Sequence, residues 1–202
     1  MKRGEAKRLA LLQATAGLIM EKGIAAVTTR EVAERAASTE RTLFKQFGSK
    51  EGLVTAVVDM VATAQVAQSR FTDLATDPPR TLDAFEQWHR ELLCERVGSP
   101  TARSHVGRLF LLEIIQNEAF KDRYSETWLA GIWVPLVRCL DALKAAGEIE
   151  DFADTRLIAQ SFFSLNLGYL FASLQVAPQL EWDTARDAAG IAALFRRGIA
   201  RI

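Results

Sequence analysis

Apolar residues recur at helical spacing along nearly the whole chain. Leu9, Leu12, Ala16 and Ile19 form the first stripe, and Gly23 is placed to end that helix. A sharp helix start comes next, at Val27-Thr28-Thr29-Arg30-Glu31-Val32. Thr28 and Glu31 have the spacing of a capping box, and Val27 with Val32 forms a hydrophobic staple around it. That helix ends near Ala37. Thr39 and Ser49 are candidate N-caps for the next two. Leu53, Val57, Met60, Val61 and Ala64 carry the pattern into a long amphipathic helix.

The segment ATDPPRT, 75–81, breaks the pattern, and Thr81 is placed to cap the next helix. Helices are predicted over 82–97, 102–117 and 121–146, the last kinked by Pro135 and stopped by Gly147. GEIEDFAD reads as a loop with Asp151 or Asp154 as a cap. A long apolar helix over 155–176 ends before Pro178, and Asp183 caps a last helix to about residue 200. LFLLEII, 109–115, is apolar enough for a buried strand, but its flanks are helical. The prediction is an all-α chain of about nine helices, with no internal repeat.

Composition adds little until it is divided along the chain. Hydrophobic residues make up 49%, enough for a sizeable core. No continuous run of some 18 apolar residues occurs, so no membrane span is expected. The start, MKRGEAKRLALLQ, lacks the apolar segment and cleavage site of a secretory signal, which makes a cytoplasmic location the expectation. Cys94 and Cys139 are far apart and read as reduced core thiols. Net charge is zero, yet residues 1–51 hold 10 Lys+Arg against 6 Asp+Glu, and residues 52–202 hold 15 against 19. A basic head on an acidic body points to a polyanion at one end. Two domains are expected, 1–51 and 52–202.

The head supplies the chemistry. In the second short helix Leu43 and Phe47 lie four apart and share its inner face. The remaining positions are mostly polar. Two short helices joined by a few residues, the second with a polar outer face, form the helix-turn-helix pattern. Such a second helix enters the major groove. Arg41 can pair bidentately with a guanine. Thr42 can bond a base or touch a thymine methyl, and Gln46 can reach an adenine or a phosphate. Lys45 and Lys50 suit phosphates, which position the protein without specifying sequence.

The stretch TTREVAERAASTERTLFKQFGSKEGL, 28–53, resembles the N-terminal motif of the TetR family of transcriptional regulators. Thr28, Val32, Ala33, Ala36, Thr42, Leu43, Phe47, Ser49, Lys50, Glu51 and Leu53 match in one register. The resemblance covers residues 8–55. It implies an N-terminal three-helix DNA-binding domain followed by a larger helical ligand-binding and dimerisation domain. It also implies a homodimer on a palindromic operator, acting as a repressor and released by a small apolar or aromatic effector. Neither enzymatic activity nor a cofactor is expected. The DNA-contact set so implied is Thr28, Thr39, Glu40, Arg41, Thr42, Phe44, Lys45, Gln46 and Lys50. Lys2, Arg3, Lys7 and Arg8 form a basic arm beside it. Five positions depart from the pattern. Ala37-Ser38-Thr39 stands where Gly-Val-Ser is usual, Phe44 replaces a tyrosine and Gln46 a histidine. Glu40 suits the helix dipole but repels phosphate, unless it accepts from a cytosine amino group.

In the body, the resemblance places dimerisation on the last two helices. Ser161, Leu165, Gly168 and Ala172 follow helical spacing and are mostly small. Ala185, Ala189 and Ala192 do the same, with Phe195 and Ile199 beyond. The effector is expected among the middle helices, with Trp88, His89, Phe110, Asn117, Trp128, Phe162 and Asn166 as candidates. The two asparagines lead, because buried amides need partners. His105 and Glu113 are further polar groups in apolar stretches. Two rival classes remain: a helical metal-dependent enzyme and a helical protein–protein adaptor. A di-metal carboxylate site needs two Glu-x-x-His motifs, and only Glu86-x-x-His89 is present. His89 with Cys94 closes no metal-ligand set.

Overall fold

The computed structural model describes residues 3–67, 69–99, 105–151 and 154–201, and within these the side chains of all but residues 3, 65, 105–108 and 111. Lys2 and the side chains of Arg3 and His105 therefore lie outside the described residues. The helices are α1 (Arg3–Lys22), α2 (Thr29–Arg35), α3 (Glu40–Phe47), α4 (Lys50–Ala67), α5 (Phe71–Thr76) and α6 (Leu82–Gly98). Then come α7 (His105–Gln116), α8 (Glu118–Trp128), α9 (Val134–Ala145), α10 (Thr155–Phe171) and α11 (Thr184–Ile199). Among the described residues there is no strand, only an isolated antiparallel bridge between Ile149 and Ala200. The fold is all-α, as the periodicity predicts.

Local signals place most boundaries. Thr28 accepts from the Glu31 N–H while the Glu31 carboxylate accepts from the Thr28 N–H, so both halves of the capping box form. Thr39, Thr81, Asp154 and Asp183 each cap the helix that begins after them. The Ser49 hydroxyl accepts from the Gly52 N–H at 3.0 Å. Two features escape the periodicity. Helix α5 spans six residues, too few for a periodic signal, and is held by burial of Phe71 and Leu74. Pro135 does not interrupt its helix by a kink alone. A π turn over Leu129–Trp133 joins α8 to α9 and absorbs the missing N–H and ring of Pro135. Gly131 sits in that turn because an added Cβ would lie 2.5 Å from the Val66 side chain.

The chain divides into two compact units. The first comprises Met1–Gln65 with Ser104–Ser125, and the second Val66–Arg103 with Glu126–Ile202. The boundary drawn from sequence at 51/52 falls inside α4, which is continuous there. In the first unit α1 packs on α2, α3 and α7. Its core includes Leu11, Ile19, Val32, Leu43, Leu53 and Val57. In the second unit α11 packs along α6, and α9 takes α5 and α10. An aromatic cluster fills it, running through Phe71, Phe85, Trp88, Phe162 and Phe195 by edge-to-face and stacked contacts. His89 is fully buried in the same cluster, 4.4 Å between ring centroids from Phe162.

Two of these placements have measurable consequences for stability. Ala37 ends α2 at φ 46°, a left-handed conformation that an L-residue adopts at a cost of about 1 kcal/mol. Ala37→Gly is expected to raise stability by up to about 1 kcal/mol, read by urea unfolding. Burial pushes the His89 imidazole down from 6.5 to about 4, against a weaker opposing effect of its bond to Asn166. The unfolded chain thus binds a proton between pH 6.5 and 4 that the folded chain does not, so stability falls as pH drops through that window. The expected loss is on the order of 3 kcal/mol by pH 4, and His89→Phe removes that part of the slope.

Candidate nucleic-acid interface

Helix α3 is only eight residues long and would be marginal alone. Its inner face holds it in place: Leu43 is fully buried and Phe47 packs against the same core. Thr39 caps its start, and Gly48 ends it at φ 76°, a conformation glycine adopts freely. The outer face carries Glu40, Arg41, Phe44 and Lys45, all exposed, with Thr42 and Gln46 half-buried on its flanks.

Six cations from the end of α1 to the start of α4 fall into two groups. Lys22 pairs with Glu31 at 2.6 Å, Arg30 with Glu34 at 3.0 Å, and Arg35 with Glu21 at 2.6 Å. These pairs neutralise α2 and the end of α1. Arg41, Lys45 and Lys50 form no ion pair among the described residues. Positive charge is therefore left unmatched on the outer face of α3 and at the start of α4. An anion gains most from cations that no carboxylate already holds.

The remaining members of the predicted set have internal partners. The Glu40 carboxylate accepts from the Thr29 hydroxyl, tying the first turn of α3 to that of α2. Its charge is thus fixed beside α2. The Thr42 hydroxyl lies 3.0 Å from that of Thr39, which also accepts from the Thr42 N–H. Thr28 is engaged in the capping box, and the Glu31 carboxyl is held down at about 2, chiefly by Lys22 and then by Thr28. Phe44 is an uncommonly exposed aromatic at 45%. Arg8 is not part of a free arm. Its guanidinium sits 4.5 Å over the Phe47 ring and its Nη1 donates to the Gln46 carbonyl at 3.5 Å. Sequence reasoning gives Arg8 a phosphate role and does not foresee this seat at the end of α3.

The candidates for an effector site divide between the two units. Phe110 and Asn117 lie in the first, where Phe110 meets Phe120 and Tyr124 edge-on. Asn117 caps α8: it accepts from the Phe120 N–H at 3.1 Å and donates to Glu113 at 2.8 Å. One N–H and the oxygen of its amide are thus engaged within the chain. Trp88, His89, Trp128, Phe162 and Asn166 lie in the second unit. The Trp88 indole N–H donates to the Arg70 carbonyl at 3.1 Å. Trp128 packs against Trp133 and Phe163. His89 and Asn166 are hydrogen-bonded to each other and buried. Glu86 faces Arg196 at 3.4 Å while His89 faces Asn166, so that Glu-x-x-His does not converge.

The dimer candidates also divide. Ser161, Leu165, Gly168 and Ala185 are exposed, and Ala172 and Ala189 are half-buried. Ala192 and Phe195 are 1% and 4% exposed and face the chain's own core, which removes them from any surface. Helix α11 turns its apolar stripe, Ala188, Ala192, Phe195 and Ile199, onto that core. It leaves Leu194 outside, and α10 leaves Leu157, Leu165 and Leu167. Together with its terminal π turn, Thr155–Val176 is long and apolar enough to cross a membrane by length and composition, with 28% of that stretch buried within the chain. The sequence criterion of an unbroken apolar run does not register it.

Comparison with known proteins agrees with this geometry. Residues 11–57 match the family of bacterial regulatory proteins of the tetR type. An uncharacterised helix-turn-helix transcriptional regulator of Bacillus subtilis strain 168, YvkB, is 44% identical over 48 residues, which are 24% of this chain and 25% of that protein. The match thus spans about a quarter of the relative's length. Solved structures extend the likeness to the whole fold. A TetR-family regulator of Mesorhizobium loti, itself described as putative, superposes with a TM-score of 0.76 at 18% identity, covering 100% of both chains. SmeT, the repressor of the Stenotrophomonas maltophilia multidrug efflux pump SmeDEF, gives 0.67 at 18% identity, covering 96% of this chain and 90% of its own. Residues 11–57 thus match the tetR family of bacterial regulatory proteins in sequence, and the chain as a whole shares its fold with the solved TetR-family structure from Mesorhizobium loti.

Proposed function

We propose that the chain is a homodimeric transcriptional repressor that reads a palindromic operator with α3 and is released by a small apolar or aromatic effector. The observation that carries this is the unmatched charge of Arg41, Lys45 and Lys50 on and beside a firmly anchored short helix, next to an α2 whose two arginines are both paired. Arg41, in the first turn, meets a guanine edge, and Phe44 packs on a thymine methyl or a sugar. Lys45 and Lys50 neutralise phosphates. Thr28 and Thr39, with hydroxyls committed to capping, contribute through the backbone they fix. Thr42 and Gln46 flank the contact, and Glu40 discourages misplaced phosphates. The place of action is the cytoplasm, where the DNA is.

One α3 reads only a few base pairs, so the reading needs a second copy about 34–36 Å away along the duplex. The surface for it is the exposed face of α10 and α11, with Ser161, Leu165, Gly168, Ala185 and the flanking Leu157 and Leu194. Leu157 and Leu194 are 56% and 66% exposed, and large apolar side chains left outside in this way favour a covered, two-fold arrangement. The effector binds among the aromatic rings of the second unit. Its preference for one dimer spacing lowers DNA affinity by linkage, typically by ~1–3 kcal/mol.

The test is equilibrium binding to a duplex selected from a random pool. Arg41→Ala is expected to cost about 1–3 kcal/mol on the selected site and to relax preference at one base pair. Lys45→Ala is expected to weaken all duplexes alike and to lower the salt slope by about one. Equal losses on every sequence for Arg41→Ala would remove the base contact. For the dimer, Leu165→Asp is expected to give monomers in sedimentation and to lose at least about tenfold in affinity for the palindrome, with affinity for a half-site unchanged.

A further inference from the structure

The buried pair His89–Asn166 has one polar atom left over. Asn166 Nδ2 donates to the Phe162 carbonyl at 2.6 Å, which fixes the amide with its oxygen towards His89. His89 Nε2 lies 2.9 Å from that oxygen. An amide oxygen only accepts, so Nε2 carries the ring proton. Nδ1 is then a bare lone pair. It is buried, and among the described residues no group donates to it. The shell around it is aromatic: Phe162, Phe195 and Phe85 have ring centroids 4.4, 5.6 and 6.4 Å from the imidazole. Buried acceptors without a donor are rare and costly. A core built for packing alone is better served by phenylalanine at position 89. Asn166 does more than fill space, because it selects the tautomer that leaves Nδ1 as an unpartnered acceptor.

We infer that His89 Nδ1 is the polar anchor for the effector, which is an uncharged aromatic molecule carrying a hydroxyl or N–H donor. This rests on the effector reading given above. The chemistry narrows the class in two ways. Burial keeps the ring neutral near pH 7, so a carboxylate gains no cation there and meets the lone pair instead. A flat aromatic body can take the place of a ring in an edge-to-face shell. The shell is closed, so a molecule that reaches Nδ1 displaces at least one of Phe85, Phe162 and Phe195. These rings belong to α6, α10 and α11, and the last two carry the exposed apolar face. Binding is thereby coupled to the helices that meet the second copy.

The experiment uses the full chain with 15N-labelled histidine, of which it has 2. The probes are 2-naphthol, naphthalene and 2-naphthoate. The expected result is that 2-naphthol binds about tenfold tighter than naphthalene, with 2-naphthoate weakest. The Nδ1 resonance of His89 moves towards the hydrogen-bonded side with 2-naphthol alone, and His89→Phe abolishes the ranking. Equal affinities, the same ranking in His89→Phe, or an Nδ1 resonance already bonded to a trapped water and unmoved by 2-naphthol each overturn the inference. So does a failure of all three probes to bind. Operator binding by the same preparation is measured in parallel, and its loss in the ligand-free protein would count against the regulator reading itself.

Discussion

The burial of Leu43 makes the rest of the head possible. Helix α3 has eight residues and too few backbone hydrogen bonds to persist alone. One fully buried leucine, helped by Phe47, fixes it on α1 and α2. Deleting a buried leucine to alanine costs about 2–5 kcal/mol, a large part of an ordinary domain's stability. Because the inner face supplies most of that anchorage, the outer face beyond Glu40 carries no structural contact among the described residues. Arg41, Phe44 and Lys45 are exposed there, while Glu21, Glu31 and Glu34 are taken up by Arg35, Lys22 and Arg30. Anchorage and exposed charge thus lie on opposite sides of one short helix.

The second unit divides its faces in the same way with different materials. Helices α6, α10 and α11 commit their aromatic residues to one shared core. Helix α10 is so apolar that its core side cannot absorb all of it, and Leu157, Leu165 and Leu167 remain outside. A second copy on that face and an effector in the aromatic core would act on the same helices. The polar pair inside the core, His89 with Asn166, joins α6 to α10.

Helix starts and the head are legible in the sequence because those features are local. A capping box, a staple and an i, i+4 apolar pair are each complete within a few residues. Thr28, Thr39, Thr81 and Asp183 are read correctly for that reason, and Asp154 is one of the two caps the sequence offers for α10. Most misreadings depend on partners that spacing does not show. Asn117 looks like a buried amide in search of a ligand, yet it bonds the N–H of Phe120 three residues on. A cap is the simpler reading, obscured because the periodicity runs past the end of one helix before the next begins. Ala192 and Phe195 have the periodicity of a seam, but spacing cannot say whether the seam faces α6 or another molecule. Arg8 reads as part of a loose arm, since nothing near it in sequence announces Phe47 as its seat. The pairing of Lys22 and Arg35, which helps isolate the charge of α3, is invisible for the same reason.

The central claim is that α3 meets a specific DNA sequence in two copies. The direct measurement is selection of bound fragments from a genomic pool by the purified protein, refolded to remove any effector, at two salt concentrations. The account predicts enrichment of a palindrome with half-sites one helical turn apart, and a log affinity that falls with log salt by about 0.9 for each phosphate contacted. A protein that enriches no sequence, and whose weak binding at low salt is the same for every duplex, would contradict it.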